Sequence, residues 1–475
     1  MPRIVLTAAS YTAPSLAANA QRCVNLYPEA NPADAPAPMT FYGTPGKKLW
    51  STVPGDGGIR CLFQSSRGIL FAVRGNTLYQ YGGAGTGTGW NLLAVMSTNF
   101  GPVIAAENTL SVVFVDGTAV APTVDLLTLQ VGMMSGPGWY GADFAYYIDG
   151  FIAFNRPNTQ QFYITGALNL VVDPLDFASA EAVSDILISM ISDRRELWLF
   201  GTKSVEVFSN SGGIFPLERI NGSIMDVGCA AKHSPARLDN SVIWLGSDNR
   251  GDCTVWRATG YQPQRISTNA LENEFRRYAR IDDAQAFTYQ QNGHLFYVLT
   301  FPDARKTWAY DVSTGQWAER AHRTDNNVMQ RDIANCHVLY GRSHLVGDFR
   351  NGNVYELDLD TYTDNGDAIG RVKSFQHITR DNLRQFFSQL TLDMEAGVGN
   401  DGEIDPKVSL RWSDDGGHVW SATLTASIGK IGEYMKKPHF NRLGMGRDRI
   451  FEVSTAAKAK IVLQGAFVKL GVGTS

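Results

Sequence analysis

Residues Gln291–Leu299 read QNGHLFYVL, and Thr307–Arg320 read TWAYDVSTGQWAER. In the first stretch an Asn-Gly pair sits where a two-residue hairpin turn needs positive φ. The run after it alternates its faces, as a strand requires. In the second, a strand ends at Asp311, a Thr-Gly turn places Gly315, and a new strand opens with Trp317. RGNTLYQY (Arg74–Tyr81) and RNGNVYELD (Arg350–Asp358) share this logic, and GTKSVEVFS (Gly201–Ser209) and GDCTVWRAT (Gly251–Thr259) follow it more loosely. The β-rich units fall at 59–98, 103–135, 143–184, 185–227, 229–267, 283–320 and 333–360. Four short strands per period of about 35–45 residues is the pattern of a β-propeller blade. Two stacked β-sandwiches would supply similar strands but no reason to keep one period. The expected fold is therefore all-β, with a β-propeller of about six to eight blades over residues 59–366.

The flanks read differently. Residues 1–58, with the Pro/Ala-rich PEANPADAPAP (Pro28–Pro38), read as an extended N-terminal arm that can close the ring or reach a neighbouring subunit. Residues 367–475 carry longer alternating strands, such as KVSLRWS and FEVSTAAKAKIVLQGAFVKL, and read as a C-terminal β-sandwich or barrel. One amphipathic helix is expected in Ser267–Ala284, capped by Thr268 or Asn269, with Leu271, Phe275, Tyr278 and Ile281 at three- and four-residue spacing.

Composition excludes several classes. The chain has 475 residues, 42 Lys+Arg and 46 Asp+Glu, a net charge of −4. A protein that wraps nucleic acid by neutralising phosphates would be basic. Hydrophobic residues at 44% exclude wholesale disorder. No apolar run approaches the roughly 18 residues of a spanning helix. The opening MPRIVLTAASYTAPSLAAN makes a poor signal peptide, which points to assembly in the cytoplasm. Cys23, Cys61, Cys229, Cys253 and Cys336 are scattered without a CxxC pair and are expected as buried thiols.

No catalytic, metal or cofactor site is expected. The eight histidines stand singly, and YGGAGTGTGW (Tyr81–Trp90) lacks the Lys-Ser/Thr of a phosphate loop. SDDGGHVW (Ser413–Trp420) matches the Asp-box turn: Asp415 caps amides, Gly417 takes positive φ, and Trp420 packs under the hairpin. Such boxes occur in sialidase-like propellers, and Trp256, Trp308 and Trp317 could stack on sugars. A carbohydrate-binding or glycan-hydrolysing propeller is thus the alternative reading.

Charge blocks read either as solvated faces or as complementary patches for assembly of like subunits or docking on a larger complex. Lys430, Lys436, Lys437, Arg442, Arg447 and Arg449 form a basic stretch. Asp348, Glu356, Asp358 and Asp360, with Asp393 and Glu395, form acidic ones, and Asp401 falls in the second. Complementary patches on one chain suit head-to-tail contacts between copies.

Several phrases together resemble one family, the packaged-DNA stabilisation or tail-hub nozzle proteins of short-tailed phages. They are CVNLYPE (Cys23–Glu29), TPGKKLW (Thr44–Trp50), WLFGTKSVEVFSNSG (Trp198–Gly212) and VGCAAKHSPARLDNSVIWLGSDNRG (Val227–Gly251). LRWSDDGGHVWS (Leu410–Ser421) and LGMGRDRIFEVS (Leu443–Ser454) complete the ordered set. The resemblance implies a non-enzymatic virion protein, a hexameric ring below the head-to-tail adaptor. It would retain packaged DNA, conduct it without sequence readout, and anchor a tail needle, spikes or fibres.

Overall fold

The computed structural model describes all residues except 1, 5, 7–8, 17–18, 83–88, 181–184, 248–252, 381–382, 401 and 474–475. The middle of the Gly-rich loop and Asp401 therefore lie outside the described residues.

Six antiparallel units are built from consecutive strands. The first runs Ile59–Gln64, Leu70–Arg74, Thr77–Tyr81 and Trp90–Val95, and the second starts at Ile104–Glu107. The third to sixth start at Ala145–Ile148, Leu187–Asp193, Gly228–Cys229 and Gln285–Gln291. A seventh is composite: Ala334–Tyr340, Ser343–Asp348 and Asn353–Asp358 are completed by Gly46–Thr52 of the arm. Each unit buries both faces against its neighbours. One apolar cluster fills the seam between the first and second units (Phe71 with Phe114), another that between the fifth and sixth (Leu245 with Trp317). The series ends at the seam between the seventh and first, where Val354 and Leu345 meet Ile59 and Leu70. A blade with two apolar faces needs such a ring, because an open end would leave one face wet. The propeller is thus seven-bladed among the described residues, within the expected range.

Turn chemistry sets the hairpins. Asn292 and Gly293 adopt φ of 51° and 81°, and Gly315 adopts 67° beside Asp311. The Asp311 carboxylate accepts from the Ser313 amide at 3.0 Å and the Thr314 hydroxyl at 2.9 Å. Trp317 is 2% exposed in the seam and donates its indole N–H to the Ile266 carbonyl at 2.9 Å. Gly352 departs from the expectation, for it has no positive φ. A Cβ there would lie 2.3 Å from the Val53 carbonyl oxygen, so this glycine lets the arm approach.

The one helix among the described residues is Asn269–Phe275, capped by the Thr268 side chain. It ends before Tyr278 and Ile281. Those residues still pack on the same cluster as Leu271 and Phe275, so their spacing records a shared core rather than a longer helix.

The arm is woven into both halves. Val24 pairs with Glu319 at the outer edge of blade six and with Val372 on its other side. Leu26–Ala30 and Met39–Gly43 form a hairpin that joins Val462–Val472, and Arg3–Ile4 pairs with that same long strand. The C-terminal half is a two-sheet sandwich. One sheet continues blade six through Cys23–Val24, Arg371–Ser374, Asp448–Thr455 and Lys407–Ser413 to Leu424–Ser427. Its core includes Phe41, Phe387, Leu390, Leu410 and Phe451.

Two polar fastenings hold the arm. Asn25, at φ 52°, donates its side-chain amide to the carbonyls of Ala321 (2.6 Å) and Gly370 (2.8 Å) and accepts from the Ala321 N–H at 2.9 Å. Lys47, 7% exposed, places its ammonium 3.1 Å from Asp332 and 3.0 Å from Asp364. Burial disfavours that charge, but the two carboxylates outweigh burial and raise its pKa above the usual 10.5. Burial likewise works against Asp364, yet Lys47 holds its pKa below the usual 3.8.

Removing the ammonium leaves two carboxylates buried without it. Lys47→Met should therefore cost about 3–5 kcal/mol in urea unfolding at pH 7. The pH dependence has a definite sign. The Asp364 contribution is present above 3.8 and is lost as pH falls through its lower folded value. The Lys47 contribution is complete below 10.5 and is lost only as pH rises through its higher folded value. A Lys47→Met chain as stable as the parent would show that this ion cluster does not hold the ring closed.

Candidate functional site

The basic stretch lies on the sandwich, on a loop at 428–438 between the edge strands Leu424–Ser427 and His439–Asn441. The loop is shaped by its own backbone. Glu433 donates its N–H to the Lys430 carbonyl at 2.9 Å, Lys436 donates to the Glu433 carbonyl at 3.1 Å, and Gly432 donates to Gly397 at 3.2 Å. Lys430, Lys436 and Lys437 are exposed, as are Arg442 and Arg447. Between the lysines, Tyr434 is 71% and Met435 92% exposed.

Arg449 does not belong to this surface, which corrects its place in the candidate patch. Its side chain is 1% exposed and grips Asp414 through Nε and Nη2, both at 2.6 Å. A further N–H donates to the Leu443 carbonyl at 2.5 Å, and the guanidinium lies 4.2 Å from the Phe387 ring centroid. The planar, always-charged fork suits that site because it can satisfy a carboxylate and carbonyls together.

Most of the acidic residues are also engaged within the chain. Asp348 is fully buried, paired with Arg350 at 2.9 Å and accepting from the Tyr355 hydroxyl at 3.0 Å, so it too leaves the patch. Half-buried Glu356 accepts from the Ser343 hydroxyl at 2.5 Å. Asp358 caps its turn through the Asp360 amide and Thr361 hydroxyl, at 3.0 and 2.8 Å. Asp393 binds Arg3 and Lys437, and Glu395 binds Lys460. Of the six named acids only Asp360 is classed as exposed. The partners of Asp393 and Glu395 come from distant parts of the chain, whereas those of Asp348 and Asp358 lie two to seven residues away and are local turn and hairpin contacts.

The Asp box forms as its chemistry dictates. Asp415 accepts from the amides of His418 (3.0 Å) and Val419 (2.8 Å) and from the Ser413 hydroxyl at 2.6 Å. The Ser413 and backbone hydrogen bonds lower the Asp415 pKa. Gly417 has φ 98°, and Trp420 is half-buried with the Arg411 guanidinium 4.4 Å from its ring centroid. The sugar-stacking candidates read otherwise: Trp317 is core, and Trp308 is half-buried and donates to the Tyr278 hydroxyl at 3.0 Å.

The propeller axis holds a cavity of about 250 Å³ lined by Arg60, Phe63, Tyr146, Lys232, His233 and His337, among others. Its cations are occupied. Arg60 donates to the carbonyls of Gly75, Thr98, Phe100 and Gly101, and Lys232 pairs with Asp143. Burial lowers the His233 pKa to about 4, with Lys232 adding to the effect, and lowers that of His337 to about 3. His337 Nε2 meets His344 Nδ1 at 3.0 Å, so two of the histidines that stand singly in the sequence are brought together by the hairpin. No group of three or more His, Cys, Asp or Glu side chains could hold a metal ion among the described residues. No helix of the described residues is long and apolar enough to cross a membrane.

A propeller closed by an N-terminal strand and continuous with a β-sandwich, with its charged groups spent on structure or displayed at edges, has the build of an architectural protein. Family comparison makes this specific. Residues 11–362 match the β-propeller of Bacteriophage P22 Gp10, and residues 371–471 match the β-sandwich of the same protein. The chain belongs to the Bacteriophage P22 Gp10 family and is a phage structural tail protein. No curated protein matches it. Among solved structures, the WD40 β-propeller domain of Doa1 aligns with a TM-score of 0.40 and 13% identity, covering 66% of this chain and 96% of that one.

Buried and exposed cations should respond differently to substitution. Arg449→Met should lower stability by about 1–3 kcal/mol, because the Leu443 and Met445 carbonyls lose their donor inside the fold, while the more exposed Asp414 can turn to solvent. Lys436→Glu should shift stability by no more than about 0.5 kcal/mol, as an exposed site does. Chemical denaturation of the two variants checks the contrast. Equal costs would refute the division into core and surface.

Proposed function

We propose that this chain is the tail-hub or nozzle subunit of a short-tailed phage. In this reading, copies assembled in the host cytoplasm form a hexameric ring below the head-to-tail adaptor, at the tail of the virion. The ring retains packaged double-stranded DNA, conducts it during ejection, and anchors a needle, spikes or fibres. One observation carries the reading: both halves of the chain match a single phage family, in order and over nearly the full length.

The axial cavity adds a physical argument. At about 250 Å³ it falls at or below the size of small-molecule pockets, and a duplex cannot enter it. A DNA path therefore has to run between copies, which calls for a ring. The net charge of −4 suits a conduit, since a strongly basic lumen would hold departing DNA through many phosphate contacts.

A phage deleted for this chain tests the proposal directly. Its heads should package DNA, then lose it, and should lack tail attachments. Heads that keep their genome and remain infectious would refute the hub assignment.

A further inference from the structure

Blade three carries a surface that the charge blocks did not reveal. From 157 to 193 the sequence has no Lys or Arg, while it includes Asp173, Asp176, Asp185 and Asp193. The segment between the third strand of this blade, Gln161–Ile164, and the fourth, Phe177–Ser179, displays Leu168, Val171 and Leu175 to solvent, and Phe177 opens the fourth strand exposed beside them; Val171 is 70% and Leu175 81% exposed. Asp173 and Asp176 stand among them, and neither has a salt bridge among the described residues. Desolvation, then the neighbouring Asp173, raises the Asp176 pKa, as expected of acids without a cation beside them. Contiguous exposed apolar side chains rimmed by charge mark association surfaces.

The counterpart is the sandwich loop at 428–438. It displays Ile431, Tyr434 and Met435, with Lys430, Lys436 and Lys437 around them; Glu433 lies 3.7 Å from Lys436 and Asp393 lies 3.2 Å from Lys437, and the loop itself keeps three lysines against one glutamate. One ridge is apolar and acidic, and the other is apolar and basic. Their positions are also complementary. The sandwich is anchored at the outer strands of blades six and seven, through Val24 and Gly46–Thr52. In a ring of seven, blade three is three steps from blade six one way and three from blade seven the other, so it lies across the axis from the anchor. Within the sandwich, Leu424–Ser427 ends the sheet that begins in blade six, and His439–Asn441 is the edge strand of the other sheet. The loop joining them is the part of the sandwich furthest in pairing order from the propeller.

We infer that the 428–438 loop of one copy docks on the blade-three ridge of a second copy, with Met435 and Tyr434 seated among Val171, Leu175 and Phe177 and the lysines facing Asp173 and Asp176. The occupant of each surface is another copy of this chain. Unlike surfaces at opposite ends of one subunit give heterologous contacts, which close into a ring when the rotation fits. This rests on the tail-hub reading and supplies the acidic half of the contact, which buried Asp348 and the internally paired Asp393 and Glu395 do not.

Three chains test it in phage whose own copy is deleted: Asp173→Lys with Asp176→Lys, Lys430→Glu with Lys436→Glu, and all four substitutions combined. Copies per purified particle are counted by quantitative mass spectrometry, and thermal melting of each isolated chain checks folding. Each paired reversal should cut incorporation by about tenfold or more, because like charges then face each other across the contact. The combined chain should recover most of the loss, which a folding defect would not allow. Met435→Glu, which leaves the lysines in place, should also reduce incorporation. Normal incorporation of either reversed chain, or no recovery in the combined one, would overturn the docking while leaving the hub reading intact. Absence of the parent chain from particles would instead overturn the hub reading, and this contact with it.

Discussion

The Lys47 ammonium, clasped between Asp332 and Asp364 inside the seventh blade, is the contact on which the rest of the architecture depends. A propeller gains its stability from seams, and a ring with one seam missing exposes two apolar faces together. Here the last blade has three strands of its own and borrows its outer strand from Gly46–Thr52, about three hundred residues earlier in the chain. Such a pairing carries a large loop-closure cost before it yields contacts. Burying an ion pair adds a desolvation penalty. Among the described residues Lys47 is the lysine paired with these two carboxylates, and it sits opposite Leu357 in the closing register.

The closing strand does not act alone. Just before it, the arm has passed through the sandwich, where Met39–Gly43 pairs with Val462–Val472 and Phe41 is fully buried. Earlier still, Asn25 ties the edge of blade six to Gly370, at the entrance to the second half. Lys373, buried in the sandwich, donates to the Ala9 carbonyl at 2.9 Å, and burial lowers its pKa to about 8. The arm thus belongs to both halves, and the sandwich and the propeller are joined through its paired strands.

Much of the propeller was legible because its signals are local. Asn292–Gly293, the Asp311 turn with Gly315, and the repeat of short alternating runs each act within a few residues. The Asp box formed for the same reason. What sequence hid was long-range partnership. Gly352 looked like a turn glycine and is a point of close approach to Val53. Arg449 and Asp348 looked like surface charge, but their own side chains are buried and reach the more exposed Asp414 and Arg350, because one-dimensional charge blocks carry no information on which face a strand presents. In the phrases CVNLYPE and TPGKKLW, Asn25, Tyr27 and Lys47 fasten the arm. Tyr27 packs against His294 and Phe296 at ring distances of 4.9 and 5.6 Å. The blade-three ridge escaped notice because it announces itself by exposed apolar groups and the absence of bases, which only the folded surface displays.

One N-terminal segment closes the propeller and joins it to the sandwich, so both halves should stand or fall together. Native-state hydrogen exchange on the full chain tests this most directly. Amides of Gly46–Thr52, Asn353–Asp358 and Arg371–Ser374 should open in one cooperative unit, with a single dependence on denaturant. Opening of Arg371–Ser374 and Val462–Val472 in a separate step, while Gly46–Thr52 and Asn353–Asp358 stay protected, would show that the two halves are independent.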